Sequence, residues 1–152
     1  MIVEFFRSPV AVGALIAWLL AQGLKAPIEY LRHRKWNWAL LVSAGGMPSS
    51  HSALMSAVAV GIGLESGWGS PLFVLALAIA AIVIYDATGV RRQAGLHAER
   101  INLIIKKIFE NKNWPETELK SLAEVIGHSP GEALAGVLFG TGVAILTRWL
   151  MT

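Results

Sequence analysis

The stretch PLFVLALAIAAIVIYDATGV, from Pro71 to Val90, decides the fold. It is almost purely aliphatic until Tyr85 and Asp86, and its length matches the roughly 20 apolar residues that an α-helix needs to cross a bilayer. Three further stretches approach the same pattern: Val10 to Pro27, Ser50 to Gly67, and Gly131 to Met151. With 55% hydrophobic and 15% charged residues, the 152-residue chain carries more apolar surface than one soluble core would use. In lipid a spanning segment must satisfy its own backbone, which selects helices here. The expected architecture is all-α: an integral membrane four-helix bundle, forming one transmembrane domain over residues 1–152.

Charge sets the expected orientation, because Lys and Arg near helix ends are retained on the cytoplasmic side. All 13 except Arg7 and Arg148 fall between the first and second spans or between the third and fourth. Both termini are then expected on the opposite side, and the first span is expected to stay in the membrane, since no cleavage site follows it. A basic surface would also attract anionic headgroups. The chain has no cysteine, which removes disulfides and thiolate chemistry. The expected surroundings are lipid rather than nucleic acid, in a bacterial cytoplasmic membrane, and the small-residue faces could support a homo-oligomer.

Outward from the third span, the composition turns polar between Gln93 and Ser129. The spacing there predicts a cytoplasmic amphipathic helix from about His97 to Phe109, and Pro115 marks the start of a second short helix reaching Ile126. Upstream, Tyr30, Trp36 and Trp38 fit the headgroup level. Ser49 or Ser50 is the expected N-cap of the second span. Ala53, Ala57 and Gly61 in that span, and Gly136 with Gly140 in the fourth, have the spacing at which membrane helices pack closely.

This topology brings the start of span two, the end of span three and the start of span four to one side of the membrane, so that His51, Asp86, Arg91, Arg92, His128 and Glu132 can converge. Such a set suits a phosphate ester. Lys25, Arg32, Arg91 and Arg92 could hold phosphate oxygens, and guanidinium matches their geometry. Ser49 and Ser50 add hydroxyls at a helix N-terminus, itself an anion site. Glu132 lies four residues after His128, one helical turn on, where a carboxylate could orient a nucleophilic imidazole. His51 is then the proton donor. Asp86 is read as a partner that positions Arg91 or Arg92. The arrangement requires neither metal nor cofactor.

These residues resemble the motifs of the type 2 phosphatidic acid phosphatase superfamily, which includes lipid phosphatases and vanadium haloperoxidases. Lys25 and Arg32 stand at the spacing of its first motif, with His33 where proline is usual. Pro48-Ser49-Ser50-His51 is similar to its Pro-Ser-Gly-His. His128, Pro130, Glu132, Ala135 and Gly136 match its third motif, with Glu for Asp. Leu122 stands where that motif has arginine, so the resemblance leaves Arg91 or Arg92 to bind phosphate. His97 is a rival nucleophile, separated from Arg91 by five residues as in the family's spacing, but Ile101 holds the place of its carboxylate. The pattern resembles the short, divergent branch of the superfamily. It implies a lipid phosphatase acting on phosphatidylglycerol phosphate, phosphatidic acid or an isoprenoid phosphate through a phosphohistidine. The competing expectation is a phosphate-lipid binding or transport protein without turnover. For each basic residue taken singly, a role in orientation or headgroup anchoring competes with one in the site.

Overall fold

The computed structural model describes residues 2–43, 45–109, 121–124 and 126–152. Among these residues there are helices and no strands. The short α1 (Ile2–Arg7) precedes α2 (Pro9–His33), and a single 3-10 turn (Trp38–Leu41) leads to α3 (Ser50–Ser66). Then follow α4 (Pro71–Thr88), α5 (Val90–Phe109) and α6 (Pro130–Met151).

One local rule starts each of the four main helices. Ser8, Ser49, Ser70 and Ser129 are the N-caps of α2, α3, α4 and α6, and each hydroxyl accepts from a backbone N–H three residues on. In α2, α4 and α6 a proline follows the cap, where its missing N–H costs nothing and its fixed φ favours the helix. Each such cap contributes about 1 kcal/mol by satisfying an otherwise orphaned donor.

The packing is built on small residues. Ala17, Ala21, Ala53, Ala57 and Ala144 form the central cluster, and Ala59, Ala76 and Ala80 a second one between α3 and α4. The large aliphatics point outward instead: Leu72, Leu75, Ile82, Leu138 and Leu150 are all more than half exposed. That inversion suits lipid, which offers helices no hydrophobic reason to associate and leaves close packing to hold them together. A side chain at Gly140 would run into the carbonyl of Ala53, and one at Gly136 into that of Ser49, so α3 and α6 pack almost backbone to backbone.

Contacts at both ends fix the directions. Gly13 near the start of α2 meets Thr147 near the end of α6, and Gly61 late in α3 meets Val10. The N-terminus of α3 bonds that of α6 through Ser49 N–H to Glu132 O at 3.0 Å. Helices α3 and α6 therefore run in one direction and α2 in the other. The turn from Gly67 to Ser70 brings α4 back alongside α3, with which it packs.

The spans differ in part from those expected. Among the described residues, the stretches long and apolar enough to cross a membrane are α2, the run Pro71–Ile108 whose apolar part is α4, and α6. Helix α3 has 17 residues, about 25 Å at 1.5 Å per residue, against a hydrocarbon core of about 30 Å. Four expected spans thus become three candidates around a shorter inner helix. Helix α2 does not end at Pro27 but continues to His33, because proline there removes only one helical hydrogen bond. It closes at Arg34, whose N–H donates to Tyr30 O from a left-handed backbone.

The amphipathic helix begins at Val90, earlier than its expected start at His97, separated from α4 by Gly89 alone. The first part of the helix expected after Pro115 lies outside the described residues. Residues 121–124 and 126 are irregular rather than helical.

Candidate functional site

The end of the bundle that gathers the C-termini of α2 and α4 with the N-termini of α3 and α6 holds the chemically capable side chains. Two of them, Lys25 and His128, are 1% and 2% exposed, and Ser49, Ser50 and Ser52 are buried beside them.

His128 is held from several sides. Its backbone N–H donates to Ala87 O at 2.9 Å, one of the terminal carbonyls of α4 that lack a partner within their helix. Gly127 makes that approach possible. Its φ of +103° suits glycine, and a side chain there would meet Arg92 N at 2.5 Å and Ala87 O at 2.9 Å. The imidazole Nδ1 lies 3.3 Å from Glu132 Oε2. The same carboxylate oxygen accepts from Ser129 N–H at 3.1 Å, completing a capping box with the Ser129 hydroxyl. Glu132 therefore has its geometry fixed by the first turn of α6 before it orients the ring.

The His128 and His51 rings meet edge to face, with centroids 6.1 Å apart and planes inclined at 60°. Neither His128 Nε2 nor His51 Nδ1 meets a protein hydrogen-bond partner, although both are buried. Buried polar atoms nearly always find a partner, so two such nitrogens in neighbouring rings call for an explanation. His51 is carried by the second residue of α3, directly after Ser49 and Ser50. The Ser49 hydroxyl accepts from both the N–H and the hydroxyl of Ser52.

The basic residues occupy different positions. Lys25 projects from α2 into the site, and its ammonium donates to Ser43 O at 2.9 Å, within electrostatic range of His51 and Glu132. Arg32 is exposed at the rim, 4.0 Å from the sulfur of Met47, and its charge reaches Glu132. Arg91 pairs with Asp86 at 2.5 Å across the break between α4 and α5, and both charges reach His51. Arg92 lines a cleft of about 270 Å³ beside the histidines, together with Gly46, Glu124, Ser129 and Glu132. His97 is exposed on α5, and Ile101 one turn on is exposed as well.

Three positions that shape the site were given no role in it by the sequence. Gln22 interrupts an apolar span, and its side-chain amide turns out to be shared among the carbonyls of Leu40, Leu41 and Ser43, the shortest contact being 2.7 Å. With Lys25 it pins the segment after the 3-10 turn to α2. An amide inside a membrane helix signals that a partner exists. Which partner it finds depends on a chain segment about 20 residues away. Ser129 and Gly127 gave weaker signals still, being a cap and a turn.

Comparison with known proteins finds a model of the divergent PAP2 family matching residues 6–143. The chain is 41% identical over 137 residues to the uncharacterized membrane protein YuiD of Bacillus subtilis (strain 168), covering 85% of this chain and 87% of that one. No solved structure matches. On both the family match and this relative, the chain belongs to the divergent PAP2 family.

Proposed function

We propose that this protein is a membrane lipid phosphatase that hydrolyses a phosphate monoester or diphosphate through a phosphohistidine at His128. The observation that carries the reading is the His128 ring itself: Nδ1 against Glu132, Nε2 without a protein partner, and His51 opposite at 6.1 Å. Membership of a PAP2-related family supports it.

In this mechanism Nδ1–H donates to the Glu132 carboxylate, which leaves the lone pair on Nε2. Nε2 attacks phosphorus, the bond from phosphorus to the lipid oxygen breaks, and His51 gives that oxygen its proton. Water then attacks the phosphohistidine and loses a proton to His51, and inorganic phosphate leaves with both histidines restored. Glu132 stabilises the positive charge that develops on the ring. Lys25, Arg32, Ser49, Ser50 and one or both of Arg91 and Arg92 hold the phosphate oxygens, with Lys25 exchanging the Ser43 carbonyl for phosphate. Asp86 positions Arg91.

Helix α3 completes a four-span bundle in this reading, being enclosed by α2, α4 and α6. The surplus of Lys and Arg at the site's end supports a cytoplasmic face for it, and phosphatidylglycerol phosphate, phosphatidic acid and isoprenoid phosphates are the candidate substrates there.

A second reading, a phosphate-lipid binding or transport protein without turnover, draws on Leu122 standing where the superfamily has arginine and on the engagement of Lys25 with a backbone carbonyl. Phosphate release from a panel of these lipids in detergent, without added metal, separates the two. Release by the wild type that is lost in His128→Ala and in His51→Ala supports the enzyme. Lipid binding without release by any of the three supports the alternative.

A further inference from the structure

Helix α5 is unlike the helices of the bundle. It is more sharply two-sided than any other long helix, and among the described residues it packs against the adjoining α4 and against residues 122, 124, 126 and 127. At 100° per residue, Val90, Ile101, Ile104 and Ile108 fall on one stripe. All four are exposed, at 44–61%. Arg100 and Lys107 lie along one edge of the stripe, with Lys106 on the far side of the helix, and all three are exposed. The face that does touch protein is a different one. It carries Asn102, whose amide bonds Leu122 and Glu124, and Gly95, where a side chain would meet Glu124 O at 2.5 Å.

The position of α5 identifies what covers the stripe. The helix starts two residues after the end of α4, a candidate span, so its first turn stands at the level where that span leaves the hydrocarbon. Continued straight, the run Pro71–Ile108 would measure about 57 Å, well beyond the roughly 30 Å core, and would carry an isoleucine stripe into water. The break at Gly89, bridged by the Asp86–Arg91 pair, allows the helix to turn aside. An apolar stripe with a cationic edge is the pattern of a helix lying in the headgroup layer, with the basic side chains toward anionic lipid.

We infer that α5 is an interfacial helix whose Val90, Ile101, Ile104 and Ile108 stripe lies in an anionic leaflet, with Arg100 and Lys107 bound to its headgroups. Because α5 also carries the segment that leads to His128, its seating on lipid holds one wall of the cleft beside Glu132. The inference does not depend on turnover.

The native chain has no cysteine, so single cysteines report cleanly. An environment-sensitive fluorophore is attached at Ile104→Cys or Glu99→Cys in the full-length protein, reconstituted into phosphatidylcholine vesicles with or without phosphatidylglycerol. The expected result is blue-shifted emission at position 104, quenched by nitroxides placed shallowly on the lipid chains, and water-like emission at 99. The shift at 104 should be larger with phosphatidylglycerol and reduced by Arg100→Glu with Lys107→Glu. Equal, water-like emission at both positions would overturn the inference. So would an apolar signal at 104 that ignores the lipid-borne quenchers but follows dilution of the protein in lipid, which would put a second copy on the stripe.

Discussion

The backbone N–H of Ser49 donates to the carbonyl of Glu132 across 3.0 Å. Two parallel helices are thereby joined at their first turns, each of which presents a histidine: His51 from α3 and, just ahead of α6, His128. The join needs Gly136, because any side chain there would strike the Ser49 carbonyl.

Gly136→Ala should therefore force α3 and α6 apart at the site, while Gly140→Ala does so half-way down the bundle. Overpacking of this kind costs about 1–3 kcal/mol, so both variants should lose thermal stability in detergent. Phosphatase activity should fall further in Gly136→Ala. Equal loss of stability with full activity in Gly136→Ala would mean that the spacing of the two histidines is not critical.

Glu132→Gln keeps an acceptor for Ser129 N–H, since glutamine also serves in a capping box. It removes the negative charge beside His128 Nδ1. Helix content and melting temperature should stay close to wild type, while kcat falls by about 10⁴-fold, the scale of losing an orienting carboxylate. A kcat within threefold of wild type, a margin of about 0.7 kcal/mol, would remove Glu132 from the mechanism.

Lys25→Met preserves the apolar stem but not the ammonium that now bonds Ser43 O. A charged hydrogen bond to phosphate contributes about 1.5–3 kcal/mol, so KM for the lipid phosphate should rise by roughly 10- to 100-fold. Initial rates over a lipid dilution series measure this directly. If KM is unchanged and only stability drops, Lys25 serves to anchor residue 43 and does not touch substrate.

Much of this architecture was legible because it depends on local chemistry. Pro71 to Thr88 is too apolar for anything but a buried or lipid-facing helix, and the Ser49 cap and the Gly136 and Gly140 pair announce themselves by residue type and spacing. Helix α5 was read too short because Arg91 and Arg92 blur its first turn, and α2 too short because Pro27 resembles a stop. The nearness of His51 to His128 follows from counting helices to one side of a membrane. The role of Gln22, by contrast, and the partner of Lys25 involve backbone carbonyls of a distant segment, which no side-chain pattern encodes. The same holds for Gly127, whose need for glycine arises only where the chain crosses the end of α4.

The most direct measurement is the state of His128 during turnover. The purified protein is mixed with a lipid phosphate that it hydrolyses, quenched in alkali to preserve phosphoramidates, digested, and mapped by mass spectrometry. A phosphoryl group on the peptide carrying His128, absent from His128→Ala, is the predicted result. Steady hydrolysis with no phosphorylated histidine, or with the label on His97, would contradict the assignment of His128 as nucleophile.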